Sequence, residues 1–298
     1  MKIPLATWAL LPLFALADSP PLVETIRPML DVTIVTNDGP AAKGFYEEIV
    51  GLKPLGTATI ANGAQLMRYQ AGSATLRIVT PKSPVPKHTE AMDKAIGIRG
   101  LALYLPEASE DFAKRLASHG RPEPNWITAK TGTKLARLTD PDGNWLELIF
   151  MGNPVGSPVG NAEPRNQMGI ILMVADEARS REFYGKTLGL KETPPHGKVE
   201  TGLLYAYASG GSTILVKGIA KDAPNHAGKI TEAVGYRGIT FYVSDVDTLE
   251  GKLKDRGVKI AVAPFDHAGM RGMYALDPDG NWLEFLSPAK TAAATKQQ

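Results

Sequence analysis

The eight residues Asp140-Pro141-Asp142-Gly143-Asn144-Trp145-Leu146-Glu147 return letter for letter at 277–284. Asp-Pro-Asp-Gly-Asn is turn chemistry: proline presets one φ, and Asp, Gly and Asn accept the backbone of a tight reversal. A strand follows, and in the first copy its alternation can be read. Glu147 shares a face with Trp145 and Ile149, while Leu146, Leu148 and Phe150 take the other. The all-apolar face is the one to pack under helices, so Glu147 points to the opposite side. Glu284 stands in the same place, between Leu283 and Phe285.

Outward from this stretch the echo continues. Phe45-Tyr46 recurs as Phe183-Tyr184, Gly51-Leu52-Lys53 as Gly189-Leu190-Lys191, and Arg99-Gly100 as Arg237-Gly238. Asp38 matches Asp176, Thr75 matches Thr213 and His88 matches His226, each 138 residues on (183 − 45, 226 − 88). At the closing turn the offset is 137 (277 − 140), which places a one-residue slip near Ser109 and Glu110. Such a period is too long for a solenoid and fits a duplicated domain. The sequence therefore divides into a first module at 25–150, a Gly/Pro/Asn-rich linker at 151–164, a second module at 165–287 and a tail at 288–298.

Each copy has one internal order. Opening strands are expected at 32–36 and 170–174, then helices at 40–50 and 178–188 closed by Gly51 or Gly189. Hairpins follow at 66–80 and 203–217, a further strand at 101–105 and 239–243, and a second helix at 109–118 and 246–254. The last strands are 145–150 and 282–286. Strand-helix-three strands with a second helix inserted is an α+β layout.

Bulk composition excludes some classes. Lys plus Arg number 33 against 31 for Asp plus Glu, and no basic stripe stands out, so nucleic acid has no electrostatic footprint. Residues 1–17 read as a signal peptide: Lys2, an apolar run at 3–16, and Ala15-Leu16-Ala17 before Asp18. The run is shorter than a spanning helix needs. An exported protein, periplasmic or extracellular and off the membrane once cleaved, is the expectation. The absence of cysteine suits that compartment.

An opening strand, Asp-x6-Phe-Tyr, Gly-Leu and a closing Asp-Pro-Asp-Gly-Asn-x2-Glu, given twice, resemble the vicinal oxygen chelate superfamily, which includes glyoxalase I, extradiol dioxygenases and bleomycin-binding proteins. The resemblance implies two βαβββ-type modules pairing into a cupped mixed sheet with helices outside. It also implies a divalent metal in the cup (Mg, Mn, Ni or Zn) that chelates vicinal oxygens of a small substrate. The final-strand ligands would be Glu147 and Glu284. The opening-strand ligand, seven residues before Asp38 or Asp176, falls on Asp31 and Gly169, and the dioxygenase histidine positions fall on Gly100 and Gly238. A two-histidine dioxygenase centre is thereby excluded, and Asp31, Glu147 and Glu284 remain as a carboxylate set for a hard cation.

Other candidates come from the chain's own symmetry. His88 and His226, in Pro-x-His, and Arg99 and Arg237, in Gly-x-Arg-Gly, are either surface features or substrate contacts at the cup rim, the arginines forking onto a carboxylate or pairing with the two glutamates. Arg77 replaces the Leu215 of the other copy, so it is an anion anchor or marks an exposed edge. His267, in one copy only, is a loop histidine or a proton carrier beside Glu147 and Glu284. Two functions stand together: a glyoxalase-like lyase or isomerase working through the carboxylate-held metal, and a metal-free small-molecule sequestering protein of the bleomycin-resistance type. A structural role is the third. In each case the partner is a small molecule and the chain a monomer or homodimer.

Overall fold

A computed structural model describes residues 22–27, 29–60, 63–128, 132–150, 168–193 and 205–289. The expected signal peptide and linker lie outside these residues.

Each copy contains strand-helix-three strands twice over. The first unit is β1 (Asp31–Val35), α1 (Gly39–Gly44), β2 (Lys53–Thr59), β3 (Gln65–Ala71) and β4 (Ala74–Thr80). The second is β5 (Gly97–Leu105), α2 (Ser109–Ser118), β6 (Asn125–Thr128), β7 (Lys134–Thr139) and β8 (Trp145–Phe150). The other module repeats this as β9 (Met168–Val174), α3 (Glu177–Arg181), β10 (Lys191–Thr193), β11 (Tyr205–Ser209) and β12 (Ser212–Gly218), then β13 (Gly235–Tyr242), α4 (Val246–Asp255), β14 (Ile260–His267), β15 (Met270–Leu276) and β16 (Trp282–Pro288). Strands β2, β6, β7, β10, β14 and β15 were not expected from the sequence. Four of them (β2, β6, β10 and β14) are sheet edges. The residues of β2 are all exposed, so no apolar alternation betrays it.

The modules do not each fold on themselves. One sheet runs β14-β15-β16-β13-β1-β4-β3-β2 and the other β10-β11-β12-β9-β5-β8-β7-β6. Each thus joins a half of one module to a half of the other through antiparallel pairs, β1 with β13 and β5 with β9. The expected cupped mixed sheet is formed, once in each of the two sheets.

Local rules set the helices. Asp38 caps α1 by accepting from the Ala41 N–H at 2.9 Å, and Asp176 does the same for Arg179 in α3. Both helices widen into a π turn, Phe45–Ile49 and Glu182–Thr187, and end before Gly51 and Gly189 at positive φ. The widened turns deliver Tyr46 and Tyr184, both fully buried, to the repeated motif. Tyr46 donates to Asp140 Oδ2 at 3.0 Å, and Tyr184 to Asp277 Oδ2 at 2.7 Å. The other oxygen of each aspartate accepts the backbone N–H groups of its own turn, from Asp142 and Asn144 or from Asp279 and Asn281. Phe-Tyr and Asp-Pro-Asp-Gly-Asn recur together because they are one buried hydrogen-bonded clasp between the two units of a module. The apolar face of β8 lies under α2, where Phe150 and Phe112 rings are 5.2 Å apart. Glu147 therefore faces the concave side, as its alternation implies.

Candidate functional site

Strand alternation collects Asp31, Arg77, Thr240, Tyr242, Tyr274 and Glu284 on the concave side of the first sheet. Asp31 lies opposite Thr240, and Thr240 opposite Glu284. Arg77 comes from β4, an interior strand rather than an edge, and its Nη2 lies 2.6 Å from Glu284 Oε2. It also contacts the Thr240 hydroxyl. Thr240 donates to the same glutamate oxygen at 2.7 Å, and Tyr274 donates to Oε1 at 2.7 Å. Asp31 accepts from the Thr75 N–H at 2.8 Å and from the Tyr242 hydroxyl at 2.7 Å.

Two buried carboxylates thus share one guanidinium, and they divide it unequally. Burial raises Glu284, but the charge of Arg77 with bonds from Tyr274 and Thr240 outweighs it, leaving the group below its ordinary value. For Asp31 burial wins over the Tyr242 bond and the more distant Arg77, and its pKa is raised.

Glu147 is not here. It faces the concave side of the second sheet, where Arg137 of β7 pairs with it at 2.7 Å. Asp31, Glu147 and Glu284 therefore do not surround one cation. The partners that sequence suggested for the glutamates, Arg99 and Arg237, are elsewhere. The place matching Asp31 is Gly169, and a Cβ there would come 3.2 Å from Ala102 Cβ and 3.5 Å from Leu215 Cδ1. Gly100 is similarly hemmed, with Ile171 and Trp145 carbons at 3.1 Å from an added Cβ. In the second cup the Glu147–Arg137 pair stands beside Ala102 and Gly169.

His88, His226, Arg99 and Arg237 meet where the modules join. Each Pro-x-His loop is clipped to the start of the other module's strand: Ile96 N–H donates to the Pro224 carbonyl, and Val234 N–H to that of Pro86, both at 2.8 Å. The two imidazoles stack face to face, 3.6 Å between centroids and 14° between planes. Arg99 Nη1 lies 2.8 Å from His226 Nδ1, and Glu90 Oε2 3.0 Å from His226 Nε2. Arg237 donates to the His226 carbonyl at 2.6 Å and to that of Lys229. Burial first, then Arg99, depresses His226 to about 4, and burial with Arg237 lowers His88 as well, so both rings are neutral at pH 7. These four residues line a cavity of about 390 Å³ with Ile98, Trp145 and Tyr236 among its walls. That is within the size range of small-molecule sites. His267 ends the edge strand β14, exposed and not among the residues that line this cavity.

The fold agrees with the family comparison. The model of the Glyoxalase/Bleomycin resistance protein/Dioxygenase superfamily matches residues 29–148 and again 167–285. The chain belongs to that superfamily, as two tandem modules. Among solved structures, glyoxalase I from Zea mays aligns with a TM-score of 0.62 at 20% identity, covering 87% of this chain and 92% of that one. The cppA protein from Streptococcus pneumoniae TIGR4 aligns with a TM-score of 0.53 at 12% identity, covering 89% and 99%. At these identities the likeness is one of fold. Comparison with curated protein sequences gives no match.

The divalent metal implied by the family can be tested against the donors present. In the first cup all four oxygens of Asp31 and Glu284 already accept hydrogen bonds, one of them from a guanidinium that cannot ligate a metal and repels one. In the second, Glu147 faces glycine, alanine and leucine where further ligands would stand. Neither donor set fits. His88, Glu90 and His226 do bring one ligand atom each within 4.8 Å of one another, a group that could hold a metal ion. As arranged, two features favour hydrogen bonding instead. Parallel stacked rings direct their in-plane lone pairs side by side rather than to one point. Arg99 donating to Nδ1 also leaves the neutral ring's proton on Nε2, facing Glu90.

Proposed function

We propose that this protein is an exported small-molecule-binding member of the superfamily. Its two cups are closed by internal ion pairs, and its ligand occupies the cavity at the module junction. One observation carries this reading: each inward glutamate has its own arginine, Arg77 for Glu284 and Arg137 for Glu147, at 2.6 and 2.7 Å. A carboxylate so paired has no need of a metal, which leaves neither cup a ready place for vicinal-oxygen chelation. An open cavity whose wall brings two histidines and two arginines together lies at the junction. The apolar run ending in Ala15-Leu16-Ala17 supports export, with Asp18 as the first mature residue.

The test is elemental analysis of protein purified without chelator, dialysed against Mn²⁺, Ni²⁺ and Zn²⁺, beside Glu284→Gln. No stoichiometric ion is expected in either. One ion per chain, lost in Glu284→Gln, overturns the reading and restores the glyoxalase-type lyase. A second reading, a metal-dependent enzyme, rests on the His88, Glu90 and His226 group. It expects one ion that survives Glu284→Gln and is lost in His88→Ala.

A further inference from the structure

We infer that the junction cavity is a carboxylate site, built on Arg99 and Arg237 and taking a small molecule with an apolar body. The inference rests on the binding reading above and adds the ligand's chemical class. Its starting point is the company these two arginines keep. Arg77, Arg115 and Arg137 each meet a carboxylate oxygen at 2.6 or 2.7 Å. Among the described residues Arg99 and Arg237 make no such contact, although Glu90 acts on Arg99 and Glu232 on Arg237 through space. The partners of Arg99 are the His226 imidazole and the carbonyls of Glu90 and Ala91. Those of Arg237, itself only 4% exposed, are the carbonyls of His226 and Lys229. Desolvation lowers both arginines from their ordinary pKa, the direction expected for a cation withdrawn from water without a contacting counter-ion. Two such cations on one wall are costly unless an anion joins them.

A second observation is independent of charge. Three residues of the wall carry a buried polar atom with no partner among the described residues: Arg99 Nε, Trp145 Nε1 and Asp142 Oδ2. Unpartnered buried donors and acceptors are rare in folded proteins, and gathered round one cavity they point to a polar ligand. The other groups facing it are Lys87, Glu90 and the stacked histidines. Glu90 is already engaged by His226, so its charge is directed away from Arg237. On the wall itself Lys87, Arg99 and Arg237 stand against Glu90 and Asp142, with both histidines neutral, and Glu232 lies behind Arg237 outside the wall. Ile98, Trp145, Val234 and Tyr236 supply the apolar wall. The pseudo-symmetry explains why the arginines are paired. Each Gly-x-Arg-Gly opens a strand of one module beside the Pro-x-His loop of the other, so the fold delivers both guanidiniums to the junction.

The experiment is calorimetric titration of the full chain with benzoate and with its neutral isostere benzamide, at matched ionic strength. Saturable binding of benzoate is expected, at least tenfold tighter than benzamide and weakened at least tenfold by Arg99→Gln. Should Arg99→Gln fail to fold, the imidazole NMR signals of His88 and His226 in the wild type replace it. They are expected to move with benzoate and not with an equal concentration of chloride. Equal binding of benzoate and benzamide overturns the carboxylate inference while leaving the binding reading intact. Binding of neither, with unmoved imidazole signals, overturns the inference. If a stoichiometric metal appears at Glu284 as well, the reading beneath it fails too.

Discussion

The two cups begin from one repeated sequence and arrive at opposite interiors. Position for position, Asp31 faces Gly169, Arg77 faces Leu215, Thr240 faces Ala102 and Tyr274 faces Arg137. The glutamate of the repeated motif is common to both, as are Tyr242 with Tyr104 and Thr75 with Thr213. In the first cup its cation comes from β4, 207 residues away in sequence, and in the second from the neighbouring strand, ten residues away. Two unrelated routes to the same ion pair show what the glutamate requires. An inward carboxylate on a half-buried sheet needs a positive partner, and any strand that can supply one suffices.

The comparison breaks most visibly at Arg77. Glu284 has a side chain only 10% exposed, and Arg77→Met would leave it buried with no cation. Stability should fall by about 3 to 5 kcal/mol, the range for stranding one partner of a buried pair. Urea unfolding measures it. Arg77→Met/Glu284→Leu should recover most of the loss, because a buried pair exchanged for apolar bulk is often neutral. Mn²⁺ should raise the urea midpoint of Arg77→Met and leave that of the wild type unmoved, if the guanidinium stands where a cation would. Arg137→Met is expected to lose less, about 1.5 to 3 kcal/mol, since that arginine is 25% exposed and water reaches the pair. An Arg137→Met loss equal to or larger than that of Arg77→Met would sink the distinction between a buried pair and a partly exposed one.

The clasp gives a second, smaller contrast between the copies. Tyr46→Phe and Tyr184→Phe each remove one bond to a buried aspartate that keeps its turn bonds. A loss of about 1 to 3 kcal/mol is expected for each. Tyr184→Phe should be the costlier, because its bond is 2.7 Å against 3.0 Å. Equal unfolding midpoints for the two variants and the wild type would mean the clasp is ornamental.

These contrasts also show which parts of the molecule were legible. The duplication, the turn, the helix caps and the inward glutamates could be read because each is a local pattern. The edge strands could not, since an exposed strand such as Lys53–Thr59 has no buried face to impose alternation. Arg137 was missed although a signal existed. It lies three residues before the Asp140–Asn144 turn and Glu147 three after, so a hairpin drawn round that turn pairs them. Tyr274 and Glu284 obey the same count. The Arg77–Glu284 contact had no such signal. It depends on the exchange of halves between modules, a long-range choice that no single stretch encodes. The junction cavity shares that cause: its histidines and arginines were noticed as repeats, but only the exchange brings them together.

The smallest expected effect separates the two copies of the Pro-x-His loop. His226 is depressed to about 4, by burial first and then by Arg99, His88 and Arg237, with Glu90 opposing. In the unfolded chain it titrates near 6.5. Between these values the unfolded state holds the extra proton, so the contribution of neutral His226 is complete above about pH 6.5 and is lost as pH falls toward 4. Urea midpoints at pH 7.5 and 5.0 should therefore drop further in the wild type than in His226→Gln. His88 is lowered by burial and Arg237 but lies nearer the surface, so His88→Gln should flatten the profile less. Parallel profiles for all three proteins would show that the stacked rings do not govern the acid response. A profile flattened more by His88→Gln would reverse which copy of the loop carries the strain of the junction.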